Sequence, residues 1–163
     1  MIKKILERQF VFNILLHFLA FFAKRKIFRP FTCWATHQLA NLNLYLNKPQ
    51  PANDVAELAK TWQELMPPDG QAFFKIAEVK DDTAYTEIHL QCPLRGTKDV
   101  EACYQLMNYD RKLMEAVGGQ LIVLESQSNS GREFCRLAIR KKGQDTSDLI
   151  PAHLKEAPGE FNE

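Results

Sequence analysis

Three cysteines and one aspartate are the residues of this chain best suited to form a reactive or ligand-binding site. Cys92 ends a strand-like segment, Cys103 and Asp110 lie on a predicted helix at about 98–117, and Cys135 lies in a later strand. Asp110 falls in the middle of the apolar side of that helix, which consists of Cys103, Leu106, Met107, Leu113, Met114 and Val117. A carboxyl group there is poorly hydrated and needs a partner, a raised pKa or a chemical role. The sequence therefore predicts a pocket beneath this helix.

Two interpretations of Asp110 follow from this position. It pairs with an arginine, for which Arg95, Arg111 and Arg136 are candidates, or accepts backbone hydrogen bonds, as buried acids usually do. Alternatively it orients a ligand or acts as a general base, with a pKa set by its surroundings. Cys103 lies seven residues earlier, two helical turns away on the same side. The helix would then present a thiol and a carboxyl group to one cavity.

The cysteine spacing does not favour a metal site. Cys92, Cys103 and Cys135 lack the close pairs that are typical of zinc ribbons, so we predict no metal, and no cofactor motif is recognisable. A nucleophilic thiol is usually activated by a histidine or a nearby cation. His89 would lie on the opposite side of its strand from Cys92, because strand side chains alternate.

The elements that must position these residues are indicated by a change of hydrophobic period along the chain. Pro30 can open a second helix, and Asp54 with Glu57 resembles a capping box at the start of a third. Strand-like alternation begins after the turn residues at 67–70. We predict an α+β fold with three N-terminal helices and then an antiparallel sheet in β-β-α-β-β order. After the first helix, the segments are helices at about 30–46 and 54–65, strands at 73–79 and 84–92, the helix at 98–117, and strands at 121–124 and 134–140.

The N-terminal segment, residues 1–29, is both basic and apolar. It holds seven Lys and Arg against one acid, and its apolar run from Phe10 to Ala23 is 14 residues long, below the roughly 20 needed to span a bilayer. It can be a helix packed on the chain's own core or on a partner, a helix lying on an anionic membrane surface, or a cleaved signal peptide. We treat residues 1–29 as this helix, 30–142 as one α+β domain and 143–163 as a polar tail.

The overall composition limits the classes of partner that this protein is expected to bind. The chain of 163 residues has 21 Lys and Arg against 20 Asp and Glu, which argues against a broad nucleic-acid surface. The four cysteines are expected to be reduced and mostly buried, since a chain of this size needs no disulfide framework. We expect a cytoplasmic protein, on the inner membrane face if the N-terminal helix binds lipid. A small-molecule ligand is the expected partner, and self-association stays open.

Four short motifs recur around the predicted pocket: Gln91-Cys-Pro-Leu94, Ala102-Cys103, Tyr109-Asp110-Arg111 and Gly131-Arg-Glu-Phe-Cys135. They provide a cysteine-proline after a strand, a helix with a cysteine and a later aspartate, and a closing glycine-to-cysteine strand. Over about residues 84–140, this pattern resembles the family of L-2-amino-thiazoline-4-carboxylic acid hydrolases. In outline the chain is also similar to vinyl-reductase-type hydrocarbon-binding domains, which hold small ligands beneath a helical layer.

The resemblance implies hydrolysis of a C–N bond in a small cyclic substrate. Water would attack the ring carbon while Asp110 takes or shuttles the proton, with Cys92 or Cys103 lining or assisting the site. Arg136 or Arg95 would hold a substrate carboxylate through paired hydrogen bonds. The resemblance marks Cys135 as a further site position.

The segment around the closing cysteine departs from the family pattern. That pattern is acidic, of the form Gly-Asp-Asp-x-Cys-Asp-Phe, whereas residues 131–137 here read Gly-Arg-Glu-Phe-Cys-Arg-Leu. A more basic site leaves the substrate open. The alternative is a non-catalytic ligand-binding or adaptor domain, whose pocket holds an apolar molecule and whose N-terminal helix docks on a membrane or partner.

Overall fold

The fold is α+β, as predicted. A computed structural model describes residues 8–155, and residues 1–7 and 156–163 lie outside the described part. Short 3₁₀ turns lie at Lys26–Phe28, Pro68–Phe73 and Ala152–Leu154. The helices and strands, in chain order, are α1 Gln9–Ala23, α2 Arg29–Asn47, α3 Val55–Glu64, β1 Phe74–Lys80, β2 Thr83–Ile88, α4 Val100–Leu106, α5 Asn108–Ala116, β3 Gly119–Glu125 and β4 Cys135–Lys141.

The four strands form one antiparallel sheet in the order β1-β2-β4-β3. Each outer strand pairs with its hairpin partner, and β2 and β4 meet in the centre. Ile88 at the end of β2 lies opposite Cys135 at the start of β4. The segment that follows β2 and carries Cys92 therefore begins beside Cys135.

The predicted single helix at about 98–117 is wrong, because two helices occupy this segment. The break falls at Met107, which ends α4 and precedes α5 with φ −70° and ψ −1°. The Arg111 guanidinium group donates hydrogen bonds to the Tyr104 carbonyl oxygen and to the Asn108 side chain. These bonds satisfy a carbonyl near the break that a continuous helix would pair through its backbone. The break leaves the predicted apolar side intact, since all its residues are buried.

Helix α3 covers the sheet and is capped as the sequence suggests. The side chain of Asp54 accepts a hydrogen bond from the Glu57 backbone N–H at 2.9 Å. The Glu57 carboxylate in turn accepts from the backbone N–H of Asn53, one residue before the cap. Leu58 and Trp62 are fully buried on its sheet-facing side. This face brings the Trp62 indole into the interior, next to the helix that carries Asp110.

One face of α1 packs against the core of residues 30–142. Leu19, Ala20 and Ala23 are buried, and the Phe12 ring lies edge-on to Phe74 at 5.9 Å between ring centroids. The sequence left open whether this helix packs on the chain's own core, on a partner or on a membrane. One side of the helix packs on the chain's own core. Within residues 8–155, no helix combines the length and hydropathy that crossing a membrane requires.

The segment predicted as a polar tail is partly packed. Leu149 and Ala152 are buried, at 8% and 4% exposed. The Asn129 side chain donates a hydrogen bond to the Ala152 carbonyl oxygen. The described part of the tail thus closes over the loop between β3 and β4.

Candidate functional site

A cavity of about 220 Å³ lies between the helical layer and the end of the sheet where β2 and β4 meet. Cys92, Cys103, Asp110 and Cys135 all lie in its lining. Helices α4 and α5 supply Cys103 and Asp110, and the central strands position the other two. Most of the remaining wall is aliphatic or aromatic, and the inner faces of α1 and α2 contribute Phe12, Leu16, Leu19, Leu39 and Leu46 to it.

The Asp110 carboxyl group is held by the indole of Trp62. The Trp62 Nε1–H donates a hydrogen bond of 2.9 Å to Asp110 Oδ1, and the two residues are 0% and 7% exposed. Burial raises the pKa of Asp110 to about 6, against the opposing effects of the Trp62 hydrogen bond and the nearby Arg111 charge. The group therefore changes charge close to neutral pH.

No arginine within residues 8–155 forms an ion pair with Asp110, although pairing was one of the two sequence-based interpretations. Arg111 lies next in the chain but donates its hydrogen bonds to Tyr104 and Asn108. The buried carboxyl group is thus matched by a neutral donor. This arrangement leaves its pKa high, because a neutral donor favours the ionised form less than a cation does.

The two arginines expected to hold a substrate carboxylate lie outside the lining of this cavity. Arg95 is exposed and pairs with Glu133 at 2.7 Å. Arg136 follows Cys135 in β4, so alternation turns its side chain to the opposite side of the sheet, where its guanidinium group lies 5.2 Å from the Tyr85 ring centroid. The structure therefore brings the thiols and the carboxyl group together, but neither of the arginines expected to bind a substrate carboxylate lies with them.

Burial keeps the three thiols of the cavity protonated. It raises the pKa of Cys92, raises that of Cys103 to about 11 and raises that of Cys135 further. The Ser126 hydroxyl donates to Cys103 Sγ at 3.0 Å, and the Gln127 backbone N–H donates to Cys135 Sγ at 3.4 Å. Since the thiolate is the nucleophile, these thiols are poorly suited to covalent catalysis at neutral pH.

Gln127 is a site residue that sequence reasoning missed. It lies in the polar segment between β3 and β4, which reads as a simple hairpin connection, yet it is 1% exposed and lines the cavity. Its side-chain oxygen accepts from the Cys92 backbone N–H at 3.2 Å, and its side-chain nitrogen donates to the Leu90 carbonyl at 2.8 Å. Gln127 thereby holds the segment after β2 in place and positions Cys92.

Trp62 is the second missed residue, and here a signal was present. The sequence placed Trp62 on the apolar face of α3 and Asp110 on an apolar face of its own helix. A buried indole N–H needs an acceptor and a buried carboxyl group needs a donor, so the two could have been matched.

The described cysteines are all free, and no group of three or more His, Cys, Asp and Glu side chains between residues 8 and 155 could hold a metal ion. No protein-family model, curated protein or solved structure matches this chain significantly. The resemblance to the L-2-amino-thiazoline-4-carboxylic acid hydrolases stays a prediction from short motifs.

Proposed function

We propose that this protein binds a small, largely apolar, uncharged molecule in the cavity beside Asp110. The observation that carries the proposal is the lining itself, in which aliphatic and aromatic side chains surround one buried carboxyl group. Apolar walls with a few polar groups are typical of small-molecule sites. A volume of about 220 Å³ exceeds the roughly 150 Å³ that suffices for benzene in an engineered apolar cavity.

The charge of the lining favours a neutral ligand. Within the described residues the lining includes the acids Glu64 and Asp110 and no Lys, Arg or His. An anionic ligand would lose hydration and meet Asp110 without a compensating cation. An alcohol or amide could instead donate a hydrogen bond to the ionised carboxyl group, or accept one when it is protonated.

A binding titration tests this proposal. The Trp34→Phe variant leaves Trp62 as the single tryptophan, and Trp62 reports on the cavity through its bond to Asp110. We expect octan-1-ol to change the Trp62 fluorescence saturably at pH 8, and octanoate to bind at least about tenfold more weakly, because about 1.4 kcal/mol of charge repulsion corresponds to a factor of ten. Equal or tighter binding of octanoate would contradict the proposal.

A pair of variants locates the bound alcohol. Leu39 lines the cavity from α2, whereas its neighbour Gln38 is exposed and lies outside the lining. We expect Leu39→Phe to fill part of the cavity and abolish octan-1-ol binding, while Gln38→Phe binds as the parent does. Circular dichroism checks that both variants fold. Unchanged binding by a folded Leu39→Phe protein would show that the alcohol binds elsewhere.

A second candidate is hydrolysis of a C–N bond in a small cyclic substrate, with Asp110 as the base. The pKa of about 6 favours it, since a carboxyl group that titrates near neutral pH suits proton transfer. The measurement is turnover of a cyclic amidine that carries no carboxylate, by the parent and by Asp110→Asn, which keeps an oxygen for the Trp62 bond. Full activity of the variant would exclude Asp110 as the base.

A further inference from the structure

The outer faces of α1 and α2 and the turn between them form a large exposed apolar surface. Ile27 is 82% exposed and Trp34 is 59% exposed, and contiguous exposed apolar side chains of this kind mark interaction sites. We call this region the outer aromatic surface. Its exposed members, which surround the half-buried Phe22, are Phe18, Phe21, Ile27, Phe28, Phe31 and Trp34.

Ring contacts make this surface continuous. Phe22 lies at its centre, with its ring centroid 4.9 Å from that of Phe18 on α1, 5.4 Å from Phe28 in the turn and 5.3 Å from Phe31 on α2. Phe31 in turn lies 6.0 Å from Trp34. The helix ends and the turn therefore present one aromatic patch to solvent.

Basic side chains accompany the patch. Lys24, Arg25 and Lys26 are exposed in the turn, and the Arg25 guanidinium group lies 3.9 Å from the Phe21 ring centroid. No acid between residues 8 and 155 pairs with these three side chains. Residues 8–53 contain six Lys and Arg and no Asp or Glu, whereas the rest of the chain has 15 basic and 20 acidic residues. The positive charge is thus concentrated where the exposed aromatic residues are.

We propose that the outer aromatic surface and its basic turn dock on an anionic lipid bilayer. Helices that lie in the membrane–water interface typically combine Phe, Trp or Leu on one side with Lys and Arg beside them, and each nearby cation adds attraction to anionic headgroups. A second copy of the chain fits this surface less well, because a two-fold contact would place the two basic turns close together. The inner faces of the same helices wall the cavity, so the docked side is the outer side of this layer. The proposal stands independently of the ligand-binding proposal.

Vesicle co-sedimentation of the full chain tests the electrostatic part. We expect binding to vesicles of phosphatidylcholine with 30% phosphatidylglycerol, reduced by added salt, and much weaker binding to phosphatidylcholine alone. The triple variant Lys24→Gln, Arg25→Gln, Lys26→Gln should bind the anionic vesicles about a hundredfold more weakly. The matched control removes the same charge from exposed positions outside the surface, as Lys60→Gln, Lys75→Gln and Lys80→Gln, and should bind as the parent does.

Tryptophan fluorescence tests the contact itself. Trp34 should shift to shorter wavelength on vesicle binding and be quenched by brominated lipid, and Trp34→Phe, which retains the buried Trp62, should lose both effects. Equal losses in the two triple variants, or an unshifted Trp34, would overturn the proposal. Light scattering tests whether a second copy of the chain covers this surface instead. A stable dimer that does not bind vesicles would assign the surface to self-association and would also overturn the membrane proposal.

Discussion

The two faces of α1 are alike in sequence and opposite in environment. On the inner face, Leu19, Ala20 and Ala23 are buried against the core. On the outer face, Phe10 is 71% exposed and Phe21 is 55% exposed, although both are larger and equally apolar. Hydrophobicity alone therefore does not identify the buried side of such a helix. What packs against each side decides it.

Polar groups also differ in environment between the cavity beneath the helices and the outer turn between α1 and α2. Beneath the helices, Asp110 and Gln127 are paired inside the protein, with Trp62 and with backbone groups. In the outer turn, Lys24 and Lys26 are exposed to solvent. Interior polar groups need internal partners, because an unsatisfied buried group costs about 1–3 kcal/mol, whereas exposed cations remain available to an external partner.

The largest expected difference between the faces is in stability. Leu19→Ala removes a buried side chain and should lower the free energy of unfolding by about 2–5 kcal/mol. Phe10→Ala, on the exposed face of the same helix, should change it by about 0.5 kcal/mol or less. Urea denaturation of both variants measures this. Similar losses would show that the outer face is also covered in solution.

The next effect concerns the pH dependence of stability. The Asp110 carboxyl group ionises near 3.8 when unfolded and near about 6 when folded. Between these values the folded protein keeps a proton that the unfolded chain has released, so the free energy of unfolding falls as pH rises through this window. At about 1.36 kcal/mol per unit, the loss is about 3 kcal/mol.

Asp110→Asn should lack this component, because an amide does not titrate. Denaturation of parent and variant at pH 4 and pH 7 gives the comparison, with Asp99→Asn as a control at the partly exposed cap of α4. If parent and Asp110→Asn lose the same stability between these pH values, the buried carboxyl group is not the cause.

The smallest expected effect isolates the hydrogen bond between Trp62 and Asp110. Trp62→Phe leaves the buried carboxyl group without its indole donor and should cost about 1–3 kcal/mol at pH 7, apart from lost packing. In an Asp110→Leu background the donor has no acceptor to serve, so the added cost of Trp62→Phe should be smaller. Denaturation of both single variants and the double variant measures the coupling. Strictly additive losses would mean that the bond contributes nothing.

Local patterns predicted much of the helical and strand structure. The apolar side of the segment at about 98–117 is buried as expected, and Asp54 caps α3. The break at Met107 was missed because no proline or glycine marks it, and its stabilising contact comes from Arg111. Likewise Asp99 caps α4 by accepting a hydrogen bond from the Ala102 backbone N–H, although Thr97, two residues earlier, is also a residue type that caps helices. Two cap-forming residues only two positions apart cannot be ranked from sequence alone.

The amino-acid sequence by itself determined the α+β class and the anomalous position of Asp110, because these follow from periodicity within single segments. Only the tertiary structure decided that Trp62 holds Asp110, that Arg95 and Arg136 lie away from the cavity, and that the outer aromatic surface stays exposed. Each of these depends on contacts between segments distant in sequence. A hydrophobic pattern shows which side chains are buried but not which residues they contact, because the hydrophobic effect is nearly non-directional. Specific contacts depend on the geometry of the partners, as in hydrogen bonds.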